Sequence, residues 1–115
     1  MFALKWTERA VETYDELKAR AVEIRAGRKT KDRKKASRQE GLFKQVHKTL
    51  DLLRTNPKHP GLRTHEYDSI ANPFDDEQKV FEAYVQNKTP GAYRVFWCYG
   101  PGKREITIIA ITPHP

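Results

Sequence analysis

Ala92-Tyr93-Arg94-Val95-Phe96-Trp97-Cys98-Tyr99 leads through Gly100-Pro101-Gly102-Lys103 into Glu105-Ile106-Thr107-Ile108-Ile109-Ala110-Ile111-Thr112. Both runs are rich in the aromatic and β-branched side chains that suit a half-buried pleated surface, and the Gly and Pro residues between them mark a turn. The pair predicts an antiparallel hairpin. Upstream, Lys79 to Asn87 alternates, with Phe81, Ala83 and Val85 on one face and Glu82, Tyr84 and Gln86 on the other. Thr89-Pro90-Gly91-Ala92 joins that strand to the hairpin as a tight turn: Pro presets the first central residue and Gly accepts a positive φ at the second. Gly61 to Ile70 reads as a further strand or an irregular extended segment, and residues 71–76 as a loop.

The first half has a different period. Phe2-Ala3-Leu4-Lys5-Trp6 alternates as a short first strand. Thr7 is placed to cap a helix whose apolar stripe is Ala10, Val11, Tyr14, Leu17, Ala21 and Ile24, with Gly27 at its end. Ser37-Arg38-Gln39-Glu40 has the form of a capping box. Leu42, Phe43, Val46, Leu50 and Leu53 make a second stripe, which Asn56-Pro57 stops. The expected fold class is α+β. An N-terminal strand and a two-helix hairpin (about 8–55) pack on one face of a mostly antiparallel sheet of about four strands (about 61–112). A chain of 115 residues, 1–115, is expected to be a single domain.

Composition narrows the function classes. Lys and Arg number 22 against 15 Asp and Glu, a net charge of +7, which points toward a polyanionic partner. No apolar run approaches the roughly 18 residues of a membrane span, and the N-terminal apolar stretch is too short for a secretory signal. One cysteine, Cys98, allows neither an internal disulfide nor a cysteine-based zinc site. The expectation is a reduced, cytoplasmic protein without a metal or other cofactor.

The charge is unevenly spread. Residues 1–58 carry 16 basic and 8 acidic side chains, residues 59–115 carry 6 and 7. The excess concentrates in a connector, 28–38, which includes Lys29, Lys31, Arg33, Lys34 and Lys35. Such a block reads either as a solubilising connector or as an RNA-binding handle that releases counterions from phosphate.

The order of elements, together with Ala92-Tyr93-Arg94-Val95-Phe96-Trp97, the Gly-rich turn, Ile106-Thr107-Ile108-Ile109-Ala110-Ile111 and the terminal His114, resembles the RelE/ParE toxin superfamily of bacterial toxin–antitoxin systems. The resemblance implies a small antitoxin as partner and one of two activities. RelE-like members are ribosome-dependent mRNA endonucleases, working by metal-independent 2′-hydroxyl transphosphorylation. ParE-like members are non-catalytic binders that poison gyrase. It also implies that Arg94 is the catalytic arginine and that His114 holds the tail position where relatives place a His or Tyr. Many relatives carry arginines on the strand before that of Arg94; here its polar face offers Glu82, Tyr84 and Gln86.

The residues themselves admit more than one role. Arg94 suits a phosphate through its fixed planar charge, or caps the sheet in a salt bridge. His114 has the titration range for proton transfer, or is a solvated tail residue. Arg63, His65 and Glu66 follow the second helix: His65 and Glu66 are further catalytic candidates and Arg63 an RNA contact, or all three belong to a polar surface strand. His47 is expected to be structural and His59 a loop residue. Tyr84, Phe96 and Tyr99 suit either base stacking or packing. Parity supplies a test. With helices over the Val95 and Trp97 face, Arg94, Phe96 and Cys98 must face the other way.

Overall fold

The computed structural model describes residues 1–27, 38–87 and 89–114. The connector residues Lys29, Lys31, Arg33, Lys34 and Lys35, and Ser37 of the expected capping box, lie outside them. The described residues form a five-stranded sheet, two α-helices and a 3-10 turn. In chain order these are β1 (Ala3–Trp6), α1 (Glu8–Gly27), α2 (Arg38–Thr55), the 3-10 turn Pro60–Leu62, β2 (His65–Glu66), β3 (Phe81–Tyr84), β4 (Tyr93–Tyr99) and β5 (Glu105–Pro113). The sheet order is β1-β5-β4-β3-β2. All pairings are antiparallel except β1 with β5, which run parallel. The four strands β2 to β5 are those expected over about 61–112, and the first strand joins them, closing one edge of the sheet.

Two segments are shorter than their patterns suggest. Of Gly61 to Ile70, only His65 and Glu66 pair as a strand. Of Lys79 to Asn87, the regular ladder covers Phe81–Tyr84, because the N–H groups of Val85 and Gln86 both turn to the Tyr93 carbonyl. The Thr89–Ala92 turn forms as read: Gly91 has φ +67° and Ala92 N–H donates to Thr89 O.

α1 and α2 bury Ala10 and Leu17, and Val46, Leu50 and Leu53, against Ala83, Val95, Trp97, Ile106, Ile108 and Ile111. Each fully buried aliphatic side chain contributes about 1.5–3 kcal/mol, so this layer provides most of the drive to fold. Thr7 joins helix and sheet. Its hydroxyl accepts from Ala10 N–H at 3.1 Å, capping α1, and donates to Ile109 O at 2.7 Å. Thr7→Ala is expected to lower the unfolding free energy by about 1–2 kcal/mol, read from urea denaturation; no change would mean that water replaces both bonds.

The other face is divided. At one end Tyr67 and Ile70 cover Val80, Phe96, Cys98, Ile109 and Ala110. At the other end His65, Tyr84 and His114 are at least part-exposed beside buried Glu82 and Arg94. Arg94 therefore stands opposite the helices, as parity requires.

A bulge in β5 decides what else reaches the open end. Trp97 pairs with Ile108 and Phe96 with Ala110, so Ile109 is an extra residue. Ile106 and Ile108 face the helices before it, and Ile111 faces them after it. Without the bulge, strict alternation would place His114 on the same side as Ile108. With it, His114 shares the face of Arg94.

Candidate active site

Glu82 is the centre of the open end. It sits on β3 opposite Phe96 of β4 and His65 of β2, and only 1% of it is exposed. A bare carboxylate is costly to bury, so its surroundings must supply compensating charge or hydrogen bonds. Three elements do so. From β2, His65 Nε2 lies 2.6 Å from Oε1. From the end of β5, His114 Nδ1 lies 2.6 Å from Oε2. From β4, Arg94 Nε lies 4.0 Å from Oε2.

Each partner is fixed by the fold. His114 is held by its own backbone, whose N–H donates to Ala92 O at 2.8 Å. Its tail position is therefore a pinned extension of β5. His65 Nδ1 faces the carbonyl of Arg63 at 3.1 Å, and its ring stands edge-on to Tyr84. The Arg63 carbonyl is aimed by a left-handed backbone (φ 49°) that closes the 3-10 turn, where Arg63 N–H donates to Pro60 O. Both His65 ring nitrogens thus face acceptors, an arrangement that the doubly protonated ring satisfies. His114 presents only Nδ1 to the carboxylate. With a proton there, its Nε2 is left as an acceptor.

Arg94 is nearly buried, at 7% exposure. Its Nη1 donates to the carbonyls of Gln86 at 2.6 Å and Tyr93 at 3.1 Å, and the guanidinium stacks 3.7 Å from the Tyr84 ring centroid. Its charge acts on the site mainly through Glu82 and Tyr84.

The other predicted residues are placed as follows. The Arg63 guanidinium stands at the rim, 5.9 Å from the Tyr84 ring centroid. Glu66 is not brought to the cluster: one residue beyond His65, it crosses the pleat and pairs with Lys79 at 2.8 Å. That hydrogen bond, together with the Glu66 charge, holds the Lys79 ammonium above the ordinary lysine range. His47 pairs with Asp51 at 3.5 Å, and His59 accepts from Gly61 N–H. Phe96 is buried beneath Tyr67, which removes it from base stacking, whereas Tyr99 stays part-exposed among Phe2, Phe81 and Trp97. Among the described residues no group of three His, Cys, Asp or Glu side chains is arranged to hold a metal ion, and no helix is long and apolar enough to cross a membrane.

Cys98 is fully buried, and desolvation pushes its thiol up to about 11. It stays protonated at neutral pH, and the thiolate is the reactive form. Native protein at pH 8 is expected to resist thiol-specific disulfide reagents and to react fully once unfolded; rapid native labelling would contradict that burial.

Glu82 is the site residue that sequence reading passed over. Its signal was present: an acid in the middle of an alternating strand, on the face that parity shares with Arg94.

No protein-family model matches the chain, and no curated protein sequence does. Solved structures do. A YoeB/ParE toxin from Agrobacterium tumefaciens superposes with a TM-score of 0.61 at 8% identity, over 100% of both chains. The toxin–antitoxin complex YoeB-YefM from Staphylococcus aureus gives 0.56 at 9% identity, over 100% of this chain and 99% of the other. The archaeal RelE-RelB complex from Pyrococcus horikoshii gives 0.55 at 11% identity, over 97% and 93%. The fold is that of the RelE/ParE toxins. At these identities the likeness is one of backbone. In this RelE-like fold, the hairpin of β4 and β5 is the element that brings Arg94 and His114 to the open face.

Proposed function

We propose that this chain is a RelE-like toxin of a toxin–antitoxin pair, a ribosome-dependent mRNA endonuclease that cuts by metal-independent 2′-hydroxyl transphosphorylation. The observation that carries the reading is the convergence of His65, His114 and Arg94 on buried Glu82 at an open sheet face. The reaction needs a base for the 2′-hydroxyl, an acid for the leaving 5′-oxygen and positive charge near the phosphate. In this reading His114 Nε2 takes the 2′-hydroxyl proton while Glu82 holds the opposite nitrogen. The 2′-oxygen attacks phosphorus and the bond to the 5′-oxygen breaks. That oxygen takes a proton from water, leaving a 2′,3′-cyclic phosphate and a 5′-hydroxyl, while His65 holds Glu82 in place from the other side. Arg94 lowers the cost of the developing charge from behind the cluster. The antitoxin partner is supported by the solved neighbours that contain YefM and RelB, and the basic connector 28–38 supplies charge for ribosomal RNA.

The test is induced expression with mapping of transcript ends. Growth arrest with new 5′-hydroxyl ends is expected; intact transcripts under growth arrest would overturn the nuclease. A second reading, a non-catalytic binder such as a gyrase inhibitor, is favoured by one observation: Arg94 spends its guanidinium on two backbone carbonyls and a ring. It predicts inhibited DNA supercoiling by the purified protein, with RNA left whole.

A further inference from the structure

A groove of about 770 Å³ lies between α1, α2 and the β3–β4 turn, and none of its described lining residues belongs to the Glu82 cluster. Arg20 of α1 and Arg38 and Lys44 of α2 line it, all three exposed. None of them forms an ion pair with a described residue, and no carboxylate is among the described residues that line the groove. Three cations without a carboxylate partner among the described residues, around one concavity, attract a polyanion. The neutral lining is polar as well. Gln45 and Gln86 bond to each other through their amides, and Tyr93 adds a phenol. Amides and a phenol match the hydroxyls and base edges of a nucleotide strand.

We propose that this groove holds the phosphodiester backbone of a single RNA strand, on Arg20, Arg38 and Lys44. The groove and the cluster meet at Gln86. Its carbonyl accepts from Arg94 on the open face, and its side chain donates to Gln45 in the groove. A strand seated there leaves the groove beside the Glu82 cluster, so binding extends over more of the chain than the residues around His114. The assignment concerns binding and does not rest on cleavage.

The probe is a fluorescent 2′-O-methyl oligouridine strand, which lacks the attacking hydroxyl, titrated by anisotropy across a salt series. Three phosphate contacts contribute about 2 to the logarithmic salt slope of a single strand, and about 100-fold in affinity near 0.1 M salt. The Arg20→Gln, Arg38→Gln, Lys44→Gln triple variant is expected to show both losses, with an unchanged urea midpoint because all three side chains are exposed. An unchanged slope and affinity would overturn the proposal. So would equal binding of poly-glutamate by the native protein, or loss of RNA binding only when the connector lysines and arginines 29–35 are neutralised. The probe has no 2′-hydroxyl to attack, so its binding separates this proposal from the nuclease reading: a native chain that binds it while transcripts stay whole overturns the nuclease and leaves the groove assignment standing.

Discussion

His114→Ala is expected to slow RNA cleavage by about 10²–10⁴-fold, the usual contribution of a positioned acid–base group, while the protein stays folded. The ring is about half exposed and, among the described residues, makes its one side-chain hydrogen bond to Glu82. Its removal leaves His65 and Arg94 on the carboxylate, so the loss in unfolding free energy is about 1–2 kcal/mol. His114→Asn sharpens the test. An amide can still donate to Glu82 but cannot shuttle a proton at neutral pH, so it should restore the stability and leave the rate low. Single-turnover cleavage and urea denaturation, on the same preparations, measure the two effects. Cleavage within a few-fold of native by either variant would remove His114 from the chemistry.

Glu82→Leu is expected to be severely destabilising, lowering the unfolding free energy by about 3–5 kcal/mol. Glu82 is 1% exposed, and Arg94, 4.0 Å away, is itself almost buried. Taking away the carboxylate leaves a guanidinium in poor dielectric with only carbonyls and a ring for company. Domains of this size are stable by about 5–15 kcal/mol, so the loss is a large share of the total. Combining Glu82→Leu with Arg94→Met should recover part of it, since a buried ion pair replaced by apolar groups is often neutral. A Glu82→Leu chain as stable as the native one, or a double variant no better than the single, would show that the carboxylate does not hold the cluster. Cleavage should be lost in both, because neither His65 nor His114 keeps its anchor.

The helical half was legible because its signals are local. Ala10, Leu17 and Ala21, and then Val46, Leu50 and Leu53, recur at the spacing of one helix face and are buried, whereas Val11 of the expected stripe is exposed. The face of β4 that carries Arg94 was legible for the same reason: alternation within one strand needs no knowledge of its neighbours. The site was legible only in part. Arg94, His65 and His114 were found as single candidates; Glu66 was named where Glu82 is the carboxylate that joins them. Adjacency in sequence favoured Glu66, next to His65. Across a pleat, neighbours in sequence point to opposite faces, and Glu66 goes to Lys79 instead.

The sequence alone determined the two helical stripes, the hairpin around Gly100-Pro101-Gly102-Lys103, the Thr89–Ala92 turn and the face taken by Arg94. Each follows from steric and burial preferences acting over a few residues. Only the tertiary structure decided that β1 runs parallel to β5 at the sheet edge, and that the extra residue Ile109 turns His114 onto the open face. A bulge is a mismatch between two strands, so neither strand records it by itself. The register that sets Glu82 opposite both Phe96 and His65 is likewise a choice between strands. That register makes a cluster of four residues that lie far apart along the chain.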